Sequence, residues 1–333
     1  TRAGMLADGG RCRAFSDKAD GIAVAEGAGV VVLKRLADAR RDGDRIWGVI
    51  RGSAVNQDGA TNGLTAPSRE SQRRLALAAL ADAKLRSDEI DVIEAHGTGT
   101  PLGDPIEAGA LSDAYGARVG VESIALGSVK SNIGHASAAA GIAGLIKALL
   151  SLAHEAIPAS LHIDAVNPHI ALDETPFRLA RTLEVWPVRP GHVRRVAVNS
   201  LGFSGTNCHL LVEEGPEKTK PVRTEGAQVF VLSARTEASL RVNAEALAVY
   251  LTGEGAGLDP AAVAASLQDG REGHAHRLAV MADGLEEAGA ALAAFARHER
   301  SAAQVIRGEA GSDTLDELVG GEAGAAFVRT LLA

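Results

Sequence analysis

Continuous apolar runs and helix-period stretches take turns along most of this chain. Runs of buried-strand type stand at 30–33, 46–55, 92–93, 126–129, 194–199 and 209–213. Between them, apolar residues at helical spacing predict helices over 36–41, 68–84 and 136–150. Asp104 suits an N-cap, Pro105 the first helical position and Glu107 the third position of a capping box, which predicts another helix from there. Residues 56–59 read as a turn and 161–186 as irregular. This alternation predicts a mostly parallel or mixed sheet covered by helices. The small residues Ala138 to Gly141 let the third helix approach its neighbours closely, as a buried central helix. Around 214–221 the chain turns polar and proline-bearing, which reads as a domain boundary. Beyond it, strands at 228–233 and 276–281 and helices at 236–251, 260–268 and 285–298 make a second, small α/β unit.

Two histidines sit where predicted strands give way to glycine-rich turns. They lie in Asp91-Val-Ile-Glu-Ala-His96-Gly-Thr-Gly-Thr100 and in Gly127-Ser-Val-Lys130-Ser-Asn-Ile-Gly-His135-Ala-Ser. Ligands of open α/β folds bind at such strand ends. His135 is expected to open the helix of small residues, where the positive end of the dipole favours a neutral ring that still donates one hydrogen bond. Two such donors meeting over one carbonyl oxygen stabilise an enolate or oxyanion. His274 and His276 are two apart, with no carboxylate or cysteine near in sequence, and read as surface residues.

Composition narrows the classes. The 333 residues suffice for two domains, and 34 Lys and Arg against 42 Asp and Glu give −8. An acidic chain poor in aromatics is a poor nucleic-acid binder. Cys12 and Cys208 are the only cysteines, which argues against a zinc site or a disulfide framework and suits the cytoplasm. Cys12 lies between Arg11 and Arg13, a setting that lowers a thiol pKa. The apolar stretch 136–150 is interrupted by Lys147 and reads as too short for a membrane crossing. Both ends read as cut, so a piece of a longer polypeptide is expected.

His96-Gly-Thr-Gly-Thr-Pro-Leu-Gly-Asp-Pro and Lys130-Ser-Asn-Ile-Gly-His135 resemble the two histidine motifs of β-ketoacyl synthases, most closely those of modular polyketide synthases. Asn199-Ser-Leu-Gly-Phe203-Ser-Gly-Thr-Asn-Cys-His209 resembles the family's third motif, with Ser204 for a glycine and Cys208 for an alanine. The resemblance runs over about 9–215 in the family's order.

The resemblance implies a thiolase-like α/β fold. Residues 1–43 would be the tail of its N-terminal half and 44–215 its C-terminal half. Residues 216–226 would be a linker, 227–300 a small α/β linker domain, and 301–333 a truncated linker tail. It further implies decarboxylative Claisen condensation between an acyl thioester and a malonyl-type extender on an acyl carrier protein. His96 and His135 are the expected donors, and Lys130 holds His135 and the local charge. Thr98 and Thr100 would bind the phosphopantetheine arm, which arrives as a substrate carrier rather than a resident cofactor. Phe203 is a gate, and Asn207 of the third motif joins the substrate-binding set. The nucleophilic cysteine belongs to the N-terminal half, on the same or a separate chain, and neither Cys12 nor Cys208 is expected to replace it. A homodimer, a separate acyltransferase, and no metal, nucleic acid or membrane complete the expectation. Three alternatives stay open: a degradative thiolase, disfavoured because Cys208 lacks the Cys-x-Gly setting, a type I fatty-acid synthase ketosynthase, and a non-catalytic scaffold or dimerisation half. The acyl chain, the extender and the product are not legible.

Overall fold

The computed structural model describes residues 5–61, 63, 66–116, 123–187, 189, 191–216 and 226–310. Most of the expected linker (217–225) and most of the expected tail (311–333) lie outside them. The chain divides into two compact units, Thr1–Glu217 and Lys218–Ala333.

The first unit runs α1 (Leu36–Arg41), β1 (Gly48–Gln57), α2 (Arg69–Ala83), β2 (Val92–Glu94), α3 (Gly103–Tyr115), β3 (Ile124–Gly127), α4 (Lys130–Ile133) and α5 (Ala140–His154). Then come β4 (Ala156–Ile157), β5 (Phe177–Leu179), β6 (Glu184–Val185), β7 (Arg195–Leu201) and β8 (Thr206–Glu214). Six strands form one sheet in the order β1-β8-β7-β2-β3-β5. The pairs β1/β8 and β7/β8 are antiparallel, whereas β7, β2, β3 and β5 run parallel. Strand pleating explains the continuous apolar runs, because alternate residues feed two different cores. Ile93, Leu126, Ala197 and Leu211 pack with Leu75, Ala79, Leu111 and Tyr115 of α2 and α3. Val92, Ala125, Val196, Val198 and Val212 pack with Leu145, Ala148 and Leu152 of α5.

Several expectations are corrected. Residues 30–33 form no strand, and Val30 and Val32 are 87% and 91% exposed. An apolar run marks a buried strand only where a neighbouring strand is there to pair with it. Helix α5 is buried on its sheet face only. Its other face lines an open apolar groove of about 530 Å³ with Ile133, Ala136, Ile142, Ile146 and Leu183. The helical run Ser137–His154 spans 18 residues at mean hydropathy 1.4, which reaches the length of a membrane crossing that the sequence reading denied it. Its Lys147 is ion-paired with buried Glu94, and its apolar face lies on the sheet, as in a core helix. The small residues do bring α5 close: a Cβ on Gly144 would stand 3.2 Å from Glu94 Cγ and 3.4 Å from Val198.

The second unit is a three-stranded antiparallel sheet with three helices, its last strand at one edge and its middle strand in the centre. These are β9 (Gln228–Ala234), α6 (Glu237–Thr252), α7 (Pro260–Asp269), β10 (His276–Ala282), α8 (Leu285–Ala296) and β11 (Gln304–Glu309). Phe230, Leu240, Leu251, Leu278, Val280, Leu292 and Phe295 form its core. Strand β11 pairs with β10 and carries this sheet past the expected boundary at 300. His274 and His276 are half-buried rather than surface residues, and His276 Nε2 lies 4.0 Å from Glu309 of β11.

Candidate active site

The two histidine turns leave adjacent parallel strands, β2 and β3, at the same end of the sheet. Three bonds zip them together. Ala95 N donates to Gly127 O at 2.8 Å, Val129 N to Glu94 Oε1 at 2.6 Å, and Ser128 Oγ to Gly97 O at 2.9 Å. The imidazoles of His96 and His135 consequently meet edge to face, with centroids 5.5 Å apart.

Backbone donors fix both tautomers. His96 Nδ1 accepts from Leu201 N at 3.2 Å, and His135 Nδ1 from Ser137 N at 3.0 Å. Each neutral ring therefore carries its proton on Nε2. Burial pushes His96 well below the ordinary histidine range, and the Lys130 ammonium and His135 push it the same way. Burial and Lys130 also lower His135. The expected dipole is not the cause, because His135 does not open a helix. It lies between α4 and a 3₁₀ turn at Ser137–Ala139, and α5 begins only at Ala140. Gly134 takes φ +79°, the left-handed conformation that turns the chain between α4 and His135.

Lys130 starts α4 and is buried; burial lowers its pKa, while Glu94 and Glu107 raise it. Glu94 is itself held by Lys147 at 2.6 Å.

The acids that the sequence assigned to a helix cap do something else. Helix α3 begins at Gly103, after Leu102, with no side-chain cap. Asp104 instead accepts from Phe15 N at 2.7 Å, Gly99 N at 3.1 Å and Thr100 N at 3.4 Å. Burial pushes it up to about 7, against the pull of those N–H groups. Glu107 accepts from His96 N at 2.7 Å, Gly97 N at 2.8 Å and Asn199 Nδ2 at 2.6 Å. Gly99 has φ +79°, and a Cβ there would lie 2.7 Å from Arg13 N.

The N-terminal segment braces both turns. Gly21 N donates to Gly99 O at 2.9 Å, His135 N to Ala23 O at 2.7 Å, and Ala25 N to His135 O at 3.0 Å. Cys12 belongs to this brace, its Sγ accepting from Ala23 N at 3.2 Å. Burial raises its pKa, against the lowering that flanking arginines could give; Arg13 pairs with Asp20 instead. Burial raises half-buried Cys208 as well.

The remaining site candidates divide. Thr98 and Thr100 share a hydroxyl contact of 3.3 Å beside His96, and Thr100 Oγ1 also accepts from Gly103 N. Phe203 stands 58% exposed in the turn that follows β7. Asn207 is buried in β8 and donates its amide to Asp58 at 2.8 Å and Asn56 at 3.3 Å. The sequence reading passed over Glu94, Asp104, Glu107, Ser128 and Asn199 as site residues. Their signal was a polar side chain inside or directly beside each motif, at positions the sheet buries. Among the described residues no cluster of three metal-ligating side chains occurs.

Comparison with known proteins fits this geometry. Residues 47–164 match the β-ketoacyl synthase C-terminal domain, 167–281 the ketoacyl-synthetase C-terminal extension, and 1–39 the β-ketoacyl synthase N-terminal domain. The spectinabilin polyketide synthase system protein NorA' of Streptomyces orinoci is 47% identical over 93% of this chain and 9% of its own length. The pikromycin polyketide synthase component PikAII of Streptomyces venezuelae is 45% identical over 87% of this chain and 8% of its own. Among solved structures, the ketosynthase from module 6 of the bacillaene synthase of Bacillus subtilis 168 superposes with TM-score 0.86 at 38% identity, over 99% of this chain and 58% of that one. The oxazolomycin ketosynthase domain OzmH KS7 of Streptomyces albus JA3453 gives 0.84 at 40% identity, over 98% and 58%. The chain thus spans under a tenth of those two curated relatives and little more than half of the solved ketosynthases.

Proposed function

The chain belongs to the β-ketoacyl synthases, as the C-terminal part of a polyketide-synthase ketosynthase of thiolase-like fold together with its extension, and from that premise we propose that it supplies the enolate-stabilising half of a condensing acyltransferase. The observation that carries this reading is the pair of neutral imidazoles, centroids 5.5 Å apart, with both Nδ1 atoms held by backbone N–H groups.

A malonyl-type extender reaches the site on the phosphopantetheine arm of an acyl carrier protein, beside Thr98 and Thr100. The bond to its carboxyl carbon breaks, carbon dioxide leaves, and the electron pair becomes an enolate. The two Nε2–H groups stabilise that oxygen without a change in their own protonation. The enolate carbon attacks the thioester carbonyl of an acyl group on cysteine. The tetrahedral oxyanion collapses, the cysteine thiolate leaves, and the chain, now a β-ketoacyl thioester, stays on the carrier. Lys130 keeps both rings neutral through its charge, Phe203 gates the site, and Asn207 belongs to the substrate-binding set.

The nucleophile, on this reading, comes from a cysteine-bearing N-terminal half, in the same or a separate chain; burial raises the pKa of both Cys12 and Cys208. On this reading 1–43 completes that half and 44–215 is the C-terminal half. The apolar groove along α5 and the exposed Val30, Val32 and Leu33 form the face it covers. Residues 216–226 link to the small α/β domain from 227 onward. The assembly is a cytoplasmic homodimer served by a separate acyltransferase.

The test is His135→Ala in the complete ketosynthase. Carbon dioxide release from malonyl carrier protein should fall at least about a hundredfold, while the cysteine still becomes acylated. Wild-type decarboxylation by that variant would remove the role.

A further inference from the structure

Beneath the His96 turn runs a chain of buried polar groups that the reaction itself does not use. Asn199 of β7 and His209 of β8 are cross-strand partners, and α3 lies over them, offering Glu107 from its first half and Tyr115 from its last turn. Tyr115 Oη lies 2.9 Å from His209 Nε2, His209 Nδ1 lies 3.2 Å from Asn199 Oδ1, and Asn199 Nδ2 lies 2.6 Å from Glu107 Oε1. All four side chains are buried, His209 completely.

With Glu107 charged, the chemistry of the groups allows one direction only. Facing a carboxylate that already accepts from His96 N and Gly97 N, Asn199 must present its N–H. Its oxygen then faces His209, so His209 Nδ1 must carry the ring proton and donate. His209 Nε2 is left as an acceptor, and the Tyr115 hydroxyl donates to it. This tautomer is the reverse of the one at His96 and His135.

We propose that Tyr115, His209 and Asn199 are positioning residues for the condensing site: a one-way hydrogen-bond chain that keeps the Asn199 N–H on Glu107 and so keeps Glu107 a charged clamp on the His96 turn. The proposal rests on the function proposed above. Burial alone drives Glu107 toward its neutral form, and the N–H donors of Gly97, Asn199 and His96 pull it back. Lys130, from the neighbouring short helix, pulls the same way, and the charge of Glu107 in turn raises Asp104, one turn earlier on α3. Without the chain, Asn199 is free to turn its oxygen toward Glu107, which then takes up a proton and releases one of the backbone N–H groups. Burial holds His209 neutral, lowering its pKa to about 4.

The experiment compares His209→Leu, His209→Asn and Tyr115→Phe in the complete ketosynthase. With His209→Leu, kcat for decarboxylation of malonyl carrier protein should fall about a hundredfold at unchanged KM, as expected for a displaced catalytic group. The acid limb of its pH profile should move to higher pH, because Glu107 loses a donor that favours its charged form. Tyr115→Phe should move both readouts the same way but less, and His209→Asn, whose amide can replace the Nδ1–H donor, should recover most of the rate. Parallel loss of cysteine acylation and decarboxylation, with no shift of the acid limb and no rescue by His209→Asn, would overturn the proposal in favour of plain structural support. A wild-type enzyme that releases no carbon dioxide would instead sink the proposed function. In that event ¹⁵N resonances still decide the chain: an Nδ1–H tautomer at His209, with a His96 resonance that moves in His209→Leu, supports it, and an Nε2–H tautomer overturns it.

Discussion

The two units of this chain bury different things. The second packs Phe230, Leu240, Leu278, Leu292 and Phe295 into an apolar core, and among the described residues none of the buried polar side chains falls in it. The first buries Asp91, Glu94, Asp104, Glu107, Lys130, Arg194, Asn199 and His209. A buried charge is costly unless paired and hydrogen-bonded, so a cluster of them marks a place where the fold holds backbone against its own preference. Here Glu94, Asp104 and Glu107 accept N–H groups of the two glycine-rich turns, which no regular strand or helix satisfies. The lesson is that the site's rigidity is electrostatic and long-range, whereas the second unit's is apolar and local.

The largest consequence concerns Glu94. Glu94→Leu leaves the partly buried Lys147 without its ion-pair partner and Val129 N without its acceptor. Breaking a buried pair from one side costs about 3–5 kcal/mol, whereas replacing both partners by apolar residues is often close to neutral. Glu94→Leu should therefore destabilise the first unit by about 3 kcal/mol, the lower end of that range because Lys147 also borders the open groove, and Glu94→Leu with Lys147→Met should regain most of it. Urea denaturation followed by tryptophan fluorescence reads this cleanly, since Trp47 and Trp186 both lie in the first unit. A double variant as unstable as the single one would show that the pair is not what holds the turn.

The same contrast decides what could be read without coordinates. The second unit's strands and helices fell within two residues of expectation, because its apolar periodicity has one cause, except for β11. That strand, Gln304–Glu309, is mostly exposed and exists because β10 offers it an edge. In the first unit the histidine turns were legible as motifs, but their support was not. Asp104 and Glu107 look like caps of their own helix because short-range rules assign them so. They instead hold the turn that precedes the helix, and reach Phe15 and Asn199, 89 and 92 residues away. The setting of Cys12 is hidden for the same reason: its sequence neighbours are arginines, while its spatial neighbour is the backbone of Ala23.

Acid should separate the units next. His209 has a pKa of about 4 in the fold against 6.5 unperturbed. Its contribution is complete above pH 6.5 and is lost as pH falls toward 4, where the unfolded chain takes a proton the fold refuses; the window is worth about 3 kcal/mol. Asp104, at about 7 against 3.8, runs the other way: its contribution is present at low pH and is lost as pH rises through 7. The two oppose each other in wild type, so the informative quantity is a difference. Between pH 7 and 4, wild type should lose about 3 kcal/mol more than His209→Asn, which keeps Asp104 but cannot titrate. Equal slopes for the two proteins would show that His209 is not the acid-sensitive group.

The smallest effect lies in the helix caps. Thr236 caps α6, its Oγ1 accepting from Ser239 N at 3.1 Å, and Ser68 caps α2, its Oγ accepting from Ser71 N at 3.2 Å. Loss of either cap by substitution to alanine would ordinarily cost about 1 kcal/mol. The start of α2, however, is tied to β1 twice more: Ser71 Oγ donates to Gln57 O at 3.0 Å, and Asn56 Nδ2 to Ser71 O at 2.7 Å. Thr236 has its hydroxyl contact with Ser239, within the same turn, as its other tie. Thr236→Ala should therefore cost about 1 kcal/mol and speed hydrogen exchange in the first turn of α6, whereas Ser68→Ala should cost less than about half of that. Thr236→Ser should be close to neutral, since it keeps the oxygen. If Ser68→Ala proved the costlier change, the polar ties of the first unit would not be redundant, and the contrast between the units would fail at this, its most local, level.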